Sequence, residues 1–162
     1  MLAADVDAVA QTGFLAWRSA RVHEDWFLQD VEDRVEAAFI KFARKPDAEV
    51  LVAVKDGVIL GWGARDSREY PGDSSRAWNY VSDLWIDPAA QGKGIGSLLV
   101  SMLLDRMRSD RIEVATIEVD HANAPALGLY RKLGFEEVWR GKVFSPTLGL
   151  NMTKVLLEKF LA

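Results

Sequence analysis

The chain has 162 residues, 49% of them apolar and 27% charged, with a formal net charge of -4 and no cysteine. That length and balance fit one globular domain over residues 1–162 built on a single sizeable core, and they exclude a disordered chain. The mild acidity gives the surface no overall pull toward nucleic acid, and the missing thiols rule out disulfides, thiolate metal sites and a cysteine nucleophile.

Val6, Val9, Phe14 and Trp17 recur at helical spacing after Asp5, a capping residue type, and predict a first helix that contains the weak helix former Gly13. Val31, Val35, Ala38, Phe39 and Phe42 predict a second helix that ends before Pro46. The texture then changes. Val50 to Val54 is apolar and β-branched, Asp56-Gly57 is a hairpin signal, and Val58 to Ala64 resumes the strand. Residues 66 to 76, rich in Ser, Asp, Gly and Pro, read as a loop. Tyr80, Val81, Leu84, Trp85 and Ile86 predict a third strand, stopped by Asp87-Pro88. A glycine-rich turn from Gln91 to Gly96 then leads into an apolar helix through SLLVSMLLDRM. A strand over Glu113–Val119 and a short helix over Ala126–Leu133, ended by Gly134, come next. Strands over Val138–Phe144 and Leu150–Leu157 close the chain. This order predicts an α/β fold with one mixed sheet and no internal repeat or linker.

The segment IDPAAQGKGIGSLLV carries the most chemical information. It sets Gly92, Gly94 and Gly96 between a strand and the first turn of a helix. That turn has unpaired backbone N–H groups and the positive end of the helix dipole, and glycine removes the side chains that would hold an anion off. Such a turn can cradle a pyrophosphate. A Walker A loop is excluded, because Lys93 has no glycine five residues before Gly92. The dinucleotide fingerprint fits only roughly, with Ser97 at its last small position and the turn lying mid-chain after a hairpin. On the glycines alone, a structural turn without a ligand is an equal reading.

Gln91-Gly92-Lys93-Gly94-Ile95-Gly96 resembles the Q/R-x-x-G-x-G/A signature of the GNAT acyl-CoA N-acyltransferase superfamily, and Ile86-Asp87-Pro88 resembles the end of the strand before it. A second block, from Asn123 through Tyr130 to Phe135, is similar to the family's N-x-x-A-x-x-L-Y-x-K-x-G-F segment. The two blocks cover about residues 77 to 140, in the family's order and spacing. The resemblance implies a mixed, mostly antiparallel, splayed sheet flanked by about four helices. Relatives open with a short strand, for which only Met1 to Ala4 are available here, so that strand is expected to be very short or missing.

The resemblance also implies a site. Leu84, Trp85 and Ile86 would offer backbone groups to the pantetheine arm of acetyl-CoA, and a backbone N–H near Leu84 would stabilise the oxyanion. Gln91, Gly92, Lys93, Gly94, Ile95, Gly96 and Ser97 would hold the pyrophosphate, with Lys93 adding charge. Tyr130 falls at the family's general acid, and its phenol would donate to the departing sulfur. Asn123 would cap the following helix and could bond the pantetheine arm. The base that deprotonates the amine is open between Glu118, Asp83 and a water relay. Glu118 lies where some protein N-terminal acetyltransferases of the family place theirs. YVSDLWID resembles a strand of diamine acetyltransferases, but their proposed base falls at Ser82 here.

The implied activity is acetyl-CoA-dependent acetylation of an amine, small-molecule or protein, with no metal. The rival is a CoA-binding sensor or interaction module that keeps the fold without the chemistry. Trp62, Trp78, Trp85 and Trp139 could line an acceptor pocket, and Asp66, Glu69, Asp73 and Asp83 could attract a cationic amine. His23 and His121 lack ligand spacing, so no metal site is expected. No apolar run has bilayer length and MLAADVDAVA lacks signal-peptide features, so no membrane contact and a cytoplasmic location are expected. The closing strands invite pairing with a second copy, which makes a homodimer an expectation.

Overall fold

The computed structural model describes residues 5–44, 49–66 and 79–161. Helices α1 (Val6–Arg21) and α2 (Gln29–Ala43) come first, followed by strands β1 (Glu49–Lys55), β2 (Val58–Asp66) and β3 (Tyr80–Ile86). Then come α3 (Ile95–Ser109), β4 (Val114–Asp120), α4 (Ala124–Lys132), β5 (Glu136–Ser145) and β6 (Leu150–Phe160). The strands form one six-stranded sheet in the order β1-β2-β3-β4-β6-β5. Every neighbouring pair is antiparallel except β3 and β4.

Each element has a local cause. Asp56 and Gly57, at φ 52° and 78°, take the left-handed pair of conformations that a tight hairpin between twisted strands requires. Asp5 does stand at the start of α1, but its side chain makes no capping hydrogen bond. Its backbone is already helical, at φ -88° and ψ -10°, whereas a capping side chain needs an extended backbone. Gly13 serves contact. A Cβ there would lie 2.6 Å from the Phe39 ring and 2.8 Å from Trp62, so its absence lets α1 lie against α2 and the sheet. Asp66, the first residue of the predicted loop over 66–76, instead ends β2 opposite Tyr80. The rest of that loop, the segment Met1 to Ala4, and Glu69, Asp73 and Trp78 lie outside the described residues.

Helices cover both faces of the sheet. On one face α1 and α2 bury Val9, Trp17, Val35 and Phe39 against Val50, Trp62 and Ala64. On the other, α3 and α4 bury Val100, Leu103, Met107 and Leu127 against Val81, Ile117, Val155 and Leu157. Burying each such large side chain contributes about 1.5–3 kcal/mol, so these faces dominate folding.

Two irregularities shape the sheet. The β2–β3 register slips so that Ala64 faces Asp83 while Arg65 faces Val81, which leaves Ser82 as an extra residue in β3. This bulge switches the alternation of side chains. Val81 packs in the α3–α4 core, whereas Trp85 packs with α1 and α2. The parallel pairing of β3 with β4 covers only Tyr80↔Thr116 and Val81↔Ile117, and it stops at the bulge. From there the strands part, which is the splay expected of the sheet. The second slip, between Glu137 and Trp139, kinks the edge strand β5. That bulge, with Glu136, Glu137, Arg140 and Lys142 along the strand, blunts the edge against pairing with another chain.

Candidate active site

The gap between β3 and β4 opens into a cavity of about 970 Å³ that runs from the glycine turn, through the sheet, to the inner faces of α1 and α2. Its donor end is built by the turn before α3. Asp87 accepts a hydrogen bond from the Ala89 amide at 2.8 Å and starts a single 3-10 turn over Pro88–Ala90, while Gln91 Nε2 donates to the Ile86 carbonyl at 3.2 Å. Gly92 and Gly94 then take φ 73° and 82°, which side-chain-bearing residues rarely adopt. A Cβ built on either has no heavy atom within 4 Å, so the ground over both is open. The first hydrogen bond of α3 runs from the Leu98 amide to the Gly94 carbonyl at 3.1 Å. The amides of Ile95, Gly96 and Ser97 precede that ladder, and all three residues line the cavity.

Of the residues implied by the resemblance, the cavity brings together Leu84, Trp85, Ile86, Gln91, Gly92, Gly94, Ile95, Gly96, Ser97, Asn123, Tyr130, Asp83 and Glu118. Lys93 is the exception. Its Nζ donates to the Ala89 carbonyl at 2.8 Å and folds back on its own turn, away from the lining. Asn123 Oδ1 accepts from the Ala126 amide at 3.2 Å and caps α4.

Tyr130 lines the cavity from the last turn of α4, with its ring edge-on to Phe135 at 5.9 Å. Burial pushes its phenol well above the ordinary value, and the nearby Tyr80 and Asp83 push it in the same direction. It therefore holds its proton throughout the neutral range. Among the described residues its hydroxyl has no hydrogen-bond partner, which leaves it free to donate into the cavity.

Asp83 accepts from the Trp85 indole N–H at 2.9 Å, and Trp85 is in turn edge-on to Phe39 at 5.1 Å and 82°. Glu118 shares its side of the sheet. Ala115, Ile117 and Val119 belong to the α3–α4 core, so the intervening Thr116, Glu118 and Asp120 face α1 and α2. Asp120 shows this directly by accepting from Arg21 of α1 at 2.8 Å. Both candidate bases thus lie on the acceptor side of the gap.

The tryptophans divide. Trp85 lines the cavity. Trp62 is fully buried beside Phe42, and Trp139 lies on the exposed β5 edge over Gly141. Asp66 is outside the lining. The sequence reading missed Trp17, Arg21, Phe39 and Phe42 from the helices, Leu148 from the β5–β6 turn, and Met152 and Lys154 from β6. Arg34 of α2 donates to the carbonyls of Thr147 at 2.8 Å and Leu148 at 3.5 Å, pinning that turn over the acceptor end. Phe39 and Phe42 had shown only as the apolar stripe of a helix. The others had no motif to mark them.

The chain is similar to known proteins in sequence and in fold. A mycothiol acetyltransferase of Acidothermus cellulolyticus is 30% identical over 82% of the chain, and the match spans 42% of that relative, less than half its length. The L-amino acid N-acetyltransferase AaaT of Escherichia coli is 32% identical over 65% of the chain and 64% of its own length. The structure of yncA from Salmonella typhimurium, solved with its cofactor acetyl-CoA, superposes with a TM-score of 0.68 at 22% identity, covering 98% of this chain and 90% of that one. Residues 15–135, well over half the chain, match the acetyltransferase (GNAT) family, and the chain belongs to that family.

Proposed function

We propose that the chain is an acetyl-CoA-dependent N-acetyltransferase that acetylates the primary amine of a small molecule by direct attack on the thioester. The observation that carries this reading is the single cavity that joins the open glycine turn, the unpaired edge of β3, the protonated Tyr130 and an acidic, aromatic acceptor end. Acetyl-CoA, when bound, supplies the activated acetyl group and a thiolate leaving group.

The turn from Gln91 to Ser97 holds the diphosphate through main-chain N–H groups at the positive end of α3. The main chain of Leu84–Ile86, without a β4 partner beyond the bulge, takes the pantetheine arm as an edge takes an added strand. Tyr130 gives its proton to the departing sulfur. Asp83 and Glu118 attract the acceptor's ammonium and relieve it of a proton, directly or through water. Support for a small acceptor comes from the Arg34-pinned turn over the acceptor end and from the relatives, named for mycothiol and for L-amino acids. A diamine acceptor has less support. The acid that such an enzyme would need is replaced by Ser82, whose hydroxyl is buried in the bulge without a partner among the described residues.

The test is incubation with acetyl-CoA and a panel of small amines, following free thiol and the acetylated product by mass spectrometry. Amine-dependent thiol release is expected. Thermal stabilisation by CoA with no transfer to any amine would favour a binding module on the same fold.

A further inference from the structure

The charges at the acceptor end are not all accounted for by one another. Arg21 is shared between two carboxylates, donating to Asp120 at 2.8 Å and to Glu24 at 3.3 Å. Asp120 is likewise satisfied, accepting from Arg21 and from the Ala122 amide at 2.9 Å. Lys154 stands beside this cluster, opposite Asp120 on one neighbouring strand and Gly141 on the other. It is half-buried, it lines the cavity, and among the described residues it makes no ion pair or hydrogen bond. A half-buried lysine that lines the cavity without a side-chain partner can take an anion there.

The sheet sets that cation next to the amine site. Glu118 faces Leu156 across the β4–β6 ladder, so Lys154 is its diagonal neighbour on the same face, about 7–8 Å away. A group that draws an ammonium and a group that draws a carboxylate thus stand within the span of one small zwitterion. Phe39, Phe42 and Trp85 add an aromatic wall to that end.

On the reading of the chain as an N-acetyltransferase, we propose that the acceptor is an amino acid with an aromatic or large aliphatic side chain, its carboxylate held by Lys154. Its amine lies toward Asp83 and Glu118 and its side chain lies on the aromatic wall. In the transfer a C–N bond forms as the C–S bond breaks. The sulfur takes the Tyr130 proton, and the amine's surplus proton leaves through the carboxylates and restores the phenol.

The experiment compares kcat/KM for phenylalanine, tryptophan and leucine with their amides and with phenethylamine, each corrected for its free-amine fraction. The acids are expected to be favoured by at least about tenfold, the worth of one charge-assisted contact. Lys154→Gln is expected to bring the ratio of acid to amide close to one, and Lys154→Arg to preserve it. Equal rates for acids and amides in the unaltered protein, or a preference that survives in Lys154→Gln, would overturn the proposal while leaving the N-acetyltransferase reading intact. Absence of transfer to every amine would overturn both.

Discussion

Along its donor end the cavity is lined mostly by main chain: the open glycine turn, the first amides of α3 and the unpaired edge of β3. Along its acceptor end it is lined by side chains gathered from α1, α2, β3, β4 and β6. The first arrangement depends on where the backbone goes, so it needs small residues at fixed spacing and tolerates little else. The second depends on what each side chain carries, so it can be rebuilt one residue at a time without disturbing the grip on the cofactor.

The largest break in the comparison comes at Gly94. Gly94→Glu puts an L side chain at φ 82°, a cost of about 1–2 kcal/mol, and sets a carboxylate at the proposed diphosphate position. CoA affinity measured by calorimetry is expected to fall at least about a hundredfold, equivalent to about 2.7 kcal/mol. Gly94→Ala shares the backbone strain but meets open space, so its loss should be much smaller. Equal losses in the two variants would mean that backbone strain, not occupancy of the cradle, sets the affinity.

Tyr130 lies where the two ends meet. Tyr130→Phe keeps the ring against Phe135 and removes only the proposed proton donor, so kcat is expected to drop about a hundredfold while CoA affinity stays within about twofold. The pH profile sharpens the point. A general acid works while protonated, and burial has pushed this phenol upward, so Tyr130 itself should cause no loss of rate below about pH 10. A falling limb at lower pH must come from another group and should persist in the variant. Its disappearance in Tyr130→Phe would contradict the raised phenol.

The same division explains what the sequence made legible. The glycine turn could be read because Gln91 to Ser97 are contiguous and each spacing has a backbone reason. The strands of the splay could be read from their apolar runs, but the bulge at Ser82 could not. Nothing in YVSDLWI marks which residue is the extra one, and that residue decides whether Asp83 and Trp85 face the acceptor end. Lys154 and Arg21 were invisible for a different reason. Their role comes from the pairing of β6 with β4 and the crossing of α1 over the sheet, contacts between residues about a hundred positions apart in the case of Arg21 and Asp120. Lys93 differs again: its place in the turn suggests a phosphate contact, and its four-carbon stem also lets the ammonium reach back to the Ala89 carbonyl.

The smallest expected effect separates two tasks at Asn123, where structure and binding meet in one side chain. Its Oδ1 holds the first turn of α4, the helix that carries Tyr130. Asn123→Ala removes that cap and should cost about 1 kcal/mol, seen as a fall of about 2–4 °C in Tm. Asn123→Asp keeps a capping oxygen and places a negative charge favourably at the helix's positive end, so its Tm should match the unaltered protein. What Asp cannot supply is the amide's pair of N–H donors. A side chain that only caps leaves CoA affinity in Asn123→Asp unchanged. One that also donates to the pantetheine arm loses about tenfold in affinity with no change in Tm, because a cap asks only for an acceptor while the amide linkages of the arm can use a donor.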